Sequence, residues 1–166
     1  MMVREETVEY VHLPSGSEPP ATTFQHRRVI VIIEQDVDDD WQNHISEWIA
    51  ASGCLSMMAW GRDCSSWDDS VDHANLRQFD CREIPDESFI MTTWHDGEPL
   101  SEVFFYNQMC AFHPTIDLPL VTILHISETD QSETLLREYR KERLALENDS
   151  EHGREGLIQK VRKLFS

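Results

Sequence analysis

Apolar residues follow two alternating rhythms along this chain. Arg28-Val-Ile-Val-Ile-Ile-Glu34 is an unbroken β-branched run, the pattern of a strand covered on both faces in a parallel sheet. Behind it, Trp41, Ile45, Trp48 and Ile49 fall on one helical face, with Asp38, Asp39 and Asp40 suited to its N-terminus and Gly53 to its end. Cys54 to Trp60 predicts a second strand, stopped at Gly61. Ser65 and Ser66, each followed three residues later by an aspartate, open a short helix carrying Trp67, Val71 and Ala74. Ser88 to Trp94 predicts a third strand. Pro99 then starts a helix on which Leu100, Val103, Phe104, Asn107 and Ala111 share a face. Leu118 to Ile126 predicts a fourth strand, with Pro119 confined to its beginning.

Strands alternating with helices imply β-α-β units with right-handed crossovers. The expected fold is α/β: an open, mostly parallel four-stranded sheet, in an order such as 2-1-3-4, with flanking helices. Thr7 to Leu13 alternates and is a candidate N-terminal edge strand, followed by a loop through Pro19 and Pro20. Beyond Ser127 the pattern changes. Leu135, Leu136, Tyr139 and Arg143 mark a charged amphipathic helix, Asn148 to Gly153 a break, and Leu157, Ile158, Val161, Leu164 and Phe165 a last helix. The chain is thereby divided into residues 1–130, an acidic α/β domain, and residues 131–166, an amphipathic helical appendage packed on that domain or on a partner. The Leu100 to Phe112 helix also carries Phe105, Tyr106 and Met109, so it is apolar almost all round and demands cover. The tail can supply that cover, or a homodimer can form through this helix or the C-terminal ones.

Charge sharpens the picture. The 166 residues are 40% hydrophobic, enough for one domain with its own core, yet 14 Lys and Arg stand against 31 Asp and Glu, a formal net of −17. The first 130 residues hold six basic and 24 acidic groups, whereas the last 36 hold eight and seven. So acidic a body repels phosphate backbones and anionic lipid, which argues against nucleic-acid and membrane-surface roles and for a protein partner with a basic face. Its first lysine is Lys141, so a P-loop or kinase-type lysine is missing from the body, and no G-x-G-x-x-G or G-x-S-x-G occurs. The N-terminus lacks an apolar signal core, and no run approaches the ~20 residues of a membrane span. A cytoplasmic protein is expected, with Cys54, Cys64, Cys81 and Cys110 reduced and mostly filling core space.

Ligands of open parallel sheets sit beyond the carboxyl ends of the strands, where strand order reverses; for the order 2-1-3-4 that is between the first and third strands. The sequence puts Glu34 and Asp36 after the first, Arg62, Asp63 and Cys64 after the second, and Trp94, His95, Asp96 and Glu98 after the third. Asp36, Asp63, Trp94, His95, Asp96 and Glu98 are the candidate binding residues. As a general acid or base His95 needs an orienting carboxylate, and the available partners are Asp36 and Asp96; Glu98 is a catalytic candidate in its own right. Cys64 stands near a helix N-terminus, where thiolates form, but Asp63, Asp68 and Asp69 oppose its ionisation. Asp36, Asp63 and His95 are ligand types for Mg²⁺ or Mn²⁺; their spacing matches no metal motif, and helix capping accounts for Asp38 to Asp40, Asp63 and Asp96, so no cofactor is predicted. Trp94-x-x-x-Glu98 resembles the tryptophan and glutamate spacing of TIR-type NAD-cleaving domains, whose other hallmarks are not visible.

Trp60-Gly-Arg-Asp-Cys-Ser-Ser-Trp-Asp-Asp-Ser-Val-Asp-His-Ala-Asn75 and Met91-Thr-Thr-Trp-His-Asp-Gly-Glu-Pro-Leu-Ser-Glu-Val103 resemble a small bacterial family of unknown function. The resemblance implies bacterial origin and no activity. The function expected from the residues is binding of a macromolecular partner, as an immunity or antitoxin-like inhibitor of a basic protein. The alternative is a small metal- or nucleotide-dependent hydrolase or nucleotide sensor using the strand-end crevice.

Overall fold

The apolar runs are realised as a sheet between two layers of helices in a computed structural model, which describes residues 3–152 and 154–165. In chain order the elements are β1 (Thr7–His12), β2 (Arg27–Ile33), α1 (Asp39–Ala51), β3 (Cys54–Gly61), α2 (Cys64–Gln78), β4 (Met91–Trp94), α3 (Leu100–Met109), β5 (Leu120–Ile126), α4 (Ser132–His152) and α5 (Arg154–Leu164), with one 3-10 turn at Asp86–Ser88. Every described strand pairing is parallel.

Two features of the expected sheet need correction. It has five strands, because Thr7–His12 pairs along its whole length with β5. The order is β1-β5-β2-β3-β4, not one built on 2-1-3-4: β2 lies between β3 and β5, and the strand expected beside it, β4, lies at the edge against β3. Burial explains the arrangement. All seven residues of β5 are buried, as are all seven of β2, so both must lie inside the sheet. The four residues of β4, Met-Thr-Thr-Trp, are half-buried or exposed and suit an edge. Residues 88–90, predicted as strand, belong instead to the turn and its exit.

Alternation along β2 sends its side chains to two cores. Val29, Val31 and Ile33 meet Ile45 and Ile49 of α1 and Trp67, Val71 and Ala74 of α2. Ile30 and Ile32 join Met58, Val121 and Ile123 on the other face, under Val103 and Phe104 of α3 and Leu135 and Tyr139 of α4. A third cluster covers the outer side of α3: Phe105 is buried with Leu146 of α4, and Val3, Met109, Val161 and Leu164 pack around them. The α3 surface that demanded cover thus finds it within the chain, from α4, α5 and the N-terminal segment. Of the predicted break, residues 148–152 continue α4 and Gly153 lies outside the described residues, as do the side chains of Leu157 and Ile158.

β2 begins with two arginines, and the fold buries both. Arg27 donates to the Glu9 carboxylate at 2.9 Å and to the Thr122 hydroxyl. Arg28, fully enclosed, donates to Glu6 at 2.6 Å, to the carbonyl of Leu118 and to Asn107. Glu6 also accepts from Arg143 and Tyr139, so this buried ion pair fastens the segment ahead of β1 to α4. At the other end of the sheet, Gly61 has a φ of +106°, and a Cβ there would collide with the Ile33 carbonyl oxygen, so β3 leaves β2 by a turn that only glycine fits. Among the described residues, no helix is long and apolar enough to cross a membrane.

Candidate functional site

Because the strands are parallel, all of them end on one side of the sheet, and helices α1, α2, α3 and α4 start there. From β2 the chain first builds outward through β3 and β4 and then returns on the opposite side as β5, so strand order reverses between β2 and β5. That is the position at which open α/β sheets hold ligands.

Two adjoining clefts occupy this end, each of about 420 Å³. The first lies over the ends of β2 and β3 against α1 and α2, lined by Asp36, Asp39, Gln42, Asp63, Asp69 and His73 among others. The second lies over the ends of β2 and β5, between Glu34 on one wall and Ser127, Glu128 and Thr129 on the other. Gln35, Asp36 and Arg62 belong to both, and Arg62 Nη1 stands 3.1 Å from Asp36 Oδ1. Asp63 takes a left-handed conformation, φ 49°, at the start of α2 without capping it through its side chain. By contrast Asp38 accepts from the Trp41 N–H at 2.8 Å, and Asp130 from the Ser132 N–H at 2.8 Å, the bond that chiefly holds the Asp130 carboxyl below its ordinary range.

The candidate residues do not form one site. Asp36 and Asp63 line the first cleft, while His95 and Glu98 form a separate cluster at the end of β4. His95 Nδ1 is 3.0 Å from Glu98 Oε2, its Nε2 is 3.0 Å from the Thr93 hydroxyl, and its ring meets Tyr106 edge-on at 5.0 Å. The carboxylate beside the imidazole is therefore Glu98, not Asp36 or Asp96. At 6% exposure the ring is sealed, and both nitrogens are engaged by the protein. Trp94 and Asp96 are exposed beside it. Cys64 is buried, and burial followed by the Asp96 charge pushes its thiol up, the wrong direction for a nucleophile. Among the described residues, no group of three or more His, Cys, Asp or Glu side chains could hold a metal ion.

The reversal point also holds a cluster absent from the sequence expectations. His125, fully buried on β5, has Nδ1 2.7 Å from the Tyr10 hydroxyl, which accepts the Gln131 N–H at 3.1 Å. His12, its neighbour in register on β1, meets the Ser127 carbonyl through Nε2 at 2.8 Å. His125 Nε2 faces Glu34 Oε2 at 3.3 Å, which makes that carboxylate its partner. The Glu34 carboxylate favours the tautomer with hydrogen on Nε2, which leaves Nδ1 to accept from Tyr10. Burial lowers the His125 pKa; the charge and hydrogen bond of Glu34 oppose this without reversing it. The available signal was a histidine inside an otherwise apolar strand, Leu120-Val-Thr-Ile-Leu-His-Ile126, since a buried imidazole must find partners.

Residues 8–142 match the family model described as Domain of unknown function (DUF7684), which covers most of the chain, and the protein belongs to that family. Comparison with curated proteins and with solved structures gave no match.

Proposed function

We propose that this member of the DUF7684 family binds a basic protein through the face at the carboxyl ends of its strands, in the manner of an immunity or antitoxin-like inhibitor. The observation that carries this reading is the way the fold sorts charge. The connections leaving β2, β3, β4 and β5 hold eight carboxylates, and their only Lys or Arg is Arg62. Of the 24 carboxylates in residues 1–130, 19 are exposed, whereas of the six arginines in the same stretch Arg27 and Arg28 are buried and Arg62, Arg77 and Arg82 are exposed. Helix capping accounts for Asp38 and Asp130; it does not account for Asp36, Asp63 or Glu128. A single-sign face of this kind speeds encounter with an oppositely charged partner and rejects anionic ones. Buried thiols at Cys54 and Cys64 suit a reducing, cytoplasmic setting.

The test is affinity capture from cells of the source organism with the native chain and with Asp39, Asp63 and Asp69 all changed to Asn, each at low salt and at about 0.5 M, where surface fields are screened within a few ångströms. The expected result is retention of basic proteins by the native chain at low salt, with loss both at high salt and in the variant. Equal capture by the two chains, or capture insensitive to salt, refutes the reading.

The hydrolase or nucleotide-sensor reading draws on the same two clefts, which have a size suited to a small ligand. It is the weaker reading, because a phosphate there would meet several carboxylates and a single guanidinium already paired with Asp36. Thermal stabilisation by Mg²⁺, Mn²⁺, Zn²⁺ or nucleotides would restore it.

A further inference from the structure

We propose that a cleft at the opposite, amino-terminal end of the sheet binds a free apolar α-amino acid, with its carboxylate on Arg4, its ammonium against Glu5 and Asp117, and its side chain on Phe112, Ile116 and Leu118. The inference does not depend on the basic-partner reading, since this cleft and the acidic face lie at opposite ends of the strands.

The cleft has a volume of about 400 Å³, within the range of small-ligand sites. Its walls come from the segment ahead of β1, which supplies Arg4 and Glu5, and from the connection between α3 and β5, which supplies Phe112, Ile116, Asp117, Leu118 and Pro119. Both walls are pinned by the protein itself. The Arg143 guanidinium donates to the Arg4 carbonyl, and the Thr7 N–H to that of Pro119, each at 2.8 Å. His113 Nδ1 accepts the N–H groups of Thr115 and Ile116 at 3.1 Å, which leaves Nε2 to donate to the Asp86 carbonyl at 2.9 Å. A site held in this way loses little freedom when a ligand enters.

Charges of both signs line this cleft without pairing. Among the described residues, Arg4, Glu5 and Asp117 form no ion pair with one another or with any other side chain. Arg4 Nη2 donates to the carbonyls of Asn107 and Ala111 and so caps the end of α3. Its Nε is enclosed without an acceptor, whereas Nη1 makes no bond and is not enclosed, so that nitrogen is the donor available to a ligand. The Phe112 ring, itself exposed, covers one face of the guanidinium, 4.0 Å from centroid to the central carbon. Glu6 cannot serve as counter-charge, because it is bonded to Arg28 and Arg143. Burial followed by the Arg28 charge accordingly pulls the Arg4 guanidinium down to about 10, which leaves it charged at neutral pH. A ligand that carries only a carboxylate would meet Glu5 and Asp117, and one that carries only an amine would meet Arg4. A zwitterion satisfies all three, and the apolar surface of Phe112, Ile116, Leu118 and Pro119 selects an apolar side chain over a polar one.

The experiment titrates the full, isotope-labelled chain with L-leucine and with three compounds that each lack one of its groups: isocaproate without the ammonium, isopentylamine without the carboxylate, and glycine without the side chain. The expected result is saturable movement of the amide signals around Arg4 and Ile116 with leucine, and about tenfold weaker binding of isocaproate and isopentylamine, the usual effect of losing a charge-assisted hydrogen bond. Glycine should bind more weakly than leucine as well. Glu5→Gln combined with Asp117→Asn should weaken leucine and tighten isocaproate, so that the preference between them vanishes; both residues are exposed, so the fold is preserved. Arg4→Gln should weaken leucine and isocaproate but not isopentylamine, a selectivity that a loss of α3 capping alone does not produce. No saturable response to leucine, or equal affinity for leucine, isocaproate and isopentylamine, overturns the assignment. So does a Glu5→Gln, Asp117→Asn variant that keeps the native preference.

Discussion

Replacing Glu6 tests whether a buried charge holds the N-terminal segment to the rest of the fold. Its side chain is 1% exposed and accepts from Arg28 at 2.6 Å, Arg143 at 2.8 Å, Tyr139 at 2.6 Å and Gln108. Burial alone pushes its carboxyl up, but the Tyr139 hydrogen bond, the Arg28 charge and the bonds from Gln108 and Arg28 together outweigh it, so the group lies below its ordinary value of 4.5. Glu6→Ala leaves Arg28 enclosed with no counter-charge, a situation that costs about 3–5 kcal/mol. For a chain of this size, with about 2–4 °C per kcal/mol, the expected loss is at least about 6 °C in Tm. Urea unfolding followed by tryptophan fluorescence measures it, since Trp67 is fully buried. The companion variant Glu6→Leu with Arg28→Met removes both charges and should recover most of the loss. The sign of the pH dependence follows from the depressed carboxyl. Its contribution is complete above pH ~4.5, the unfolded-state value, and fades as pH falls from there toward the lower folded-state pKa. A Glu6→Ala loss under 1 kcal/mol, or a native acid-unfolding profile unchanged in that variant, would falsify the account.

Three other outcomes follow from the structure. Gly61→Ala should cost more than about 2 kcal/mol in denaturant unfolding, from left-handed strain plus collision with the Ile33 carbonyl, whereas Gly16→Ala, at φ +83° with open space around it, should cost only about 1 kcal/mol; equal costs would remove the collision from the argument. Phe105→Ala should cost about 3–5 kcal/mol and raise amide exchange in α5, because Val161 and Leu164 pack on that cluster; unchanged exchange in α5 would count against its docking there. Thiol labelling near neutral pH should show one fast site, exposed Cys81, since burial pushes Cys54 up to about 12 and also raises Cys64 and Cys110; a fast phase that survives Cys81→Ser would contradict this.

The elements were legible in the sequence because each carries a local signal. The β-branched run Val29 to Ile33 favours a doubly covered strand, and the Trp41, Ile45 and Ile49 spacing marks a helix face. Strand order was less so, since pairing is decided by long-range burial. Yet the composition of the segments contained a clue: Leu120 to Ile126 is as apolar as β2, and Met91-Thr-Thr-Trp94 is not. Weighing those runs against each other would have moved β5 inward and β4 to the edge. That single difference relocates the strand-order reversal, so Asp36 and Asp63 fall at the clefts while His95 and Glu98 do not. The Tyr10, Glu34 and His125 cluster was hidden for the same reason: its members are up to 115 positions apart and meet only when β1 and β5 are neighbours.

The enclosure of Arg27 and Arg28 means that folding itself is an ion-sorting event. In the unfolded chain those guanidinium groups are dispersed among the acids and screen them; in the native protein they are withdrawn, and the carboxylates are left at the boundary with solvent. The folded molecule therefore presents a more anionic exterior than its own sequence at an unchanged formal charge. A basic partner would meet its full attraction only in the folded protein, so the interaction would select for the native state as well as for the sequence.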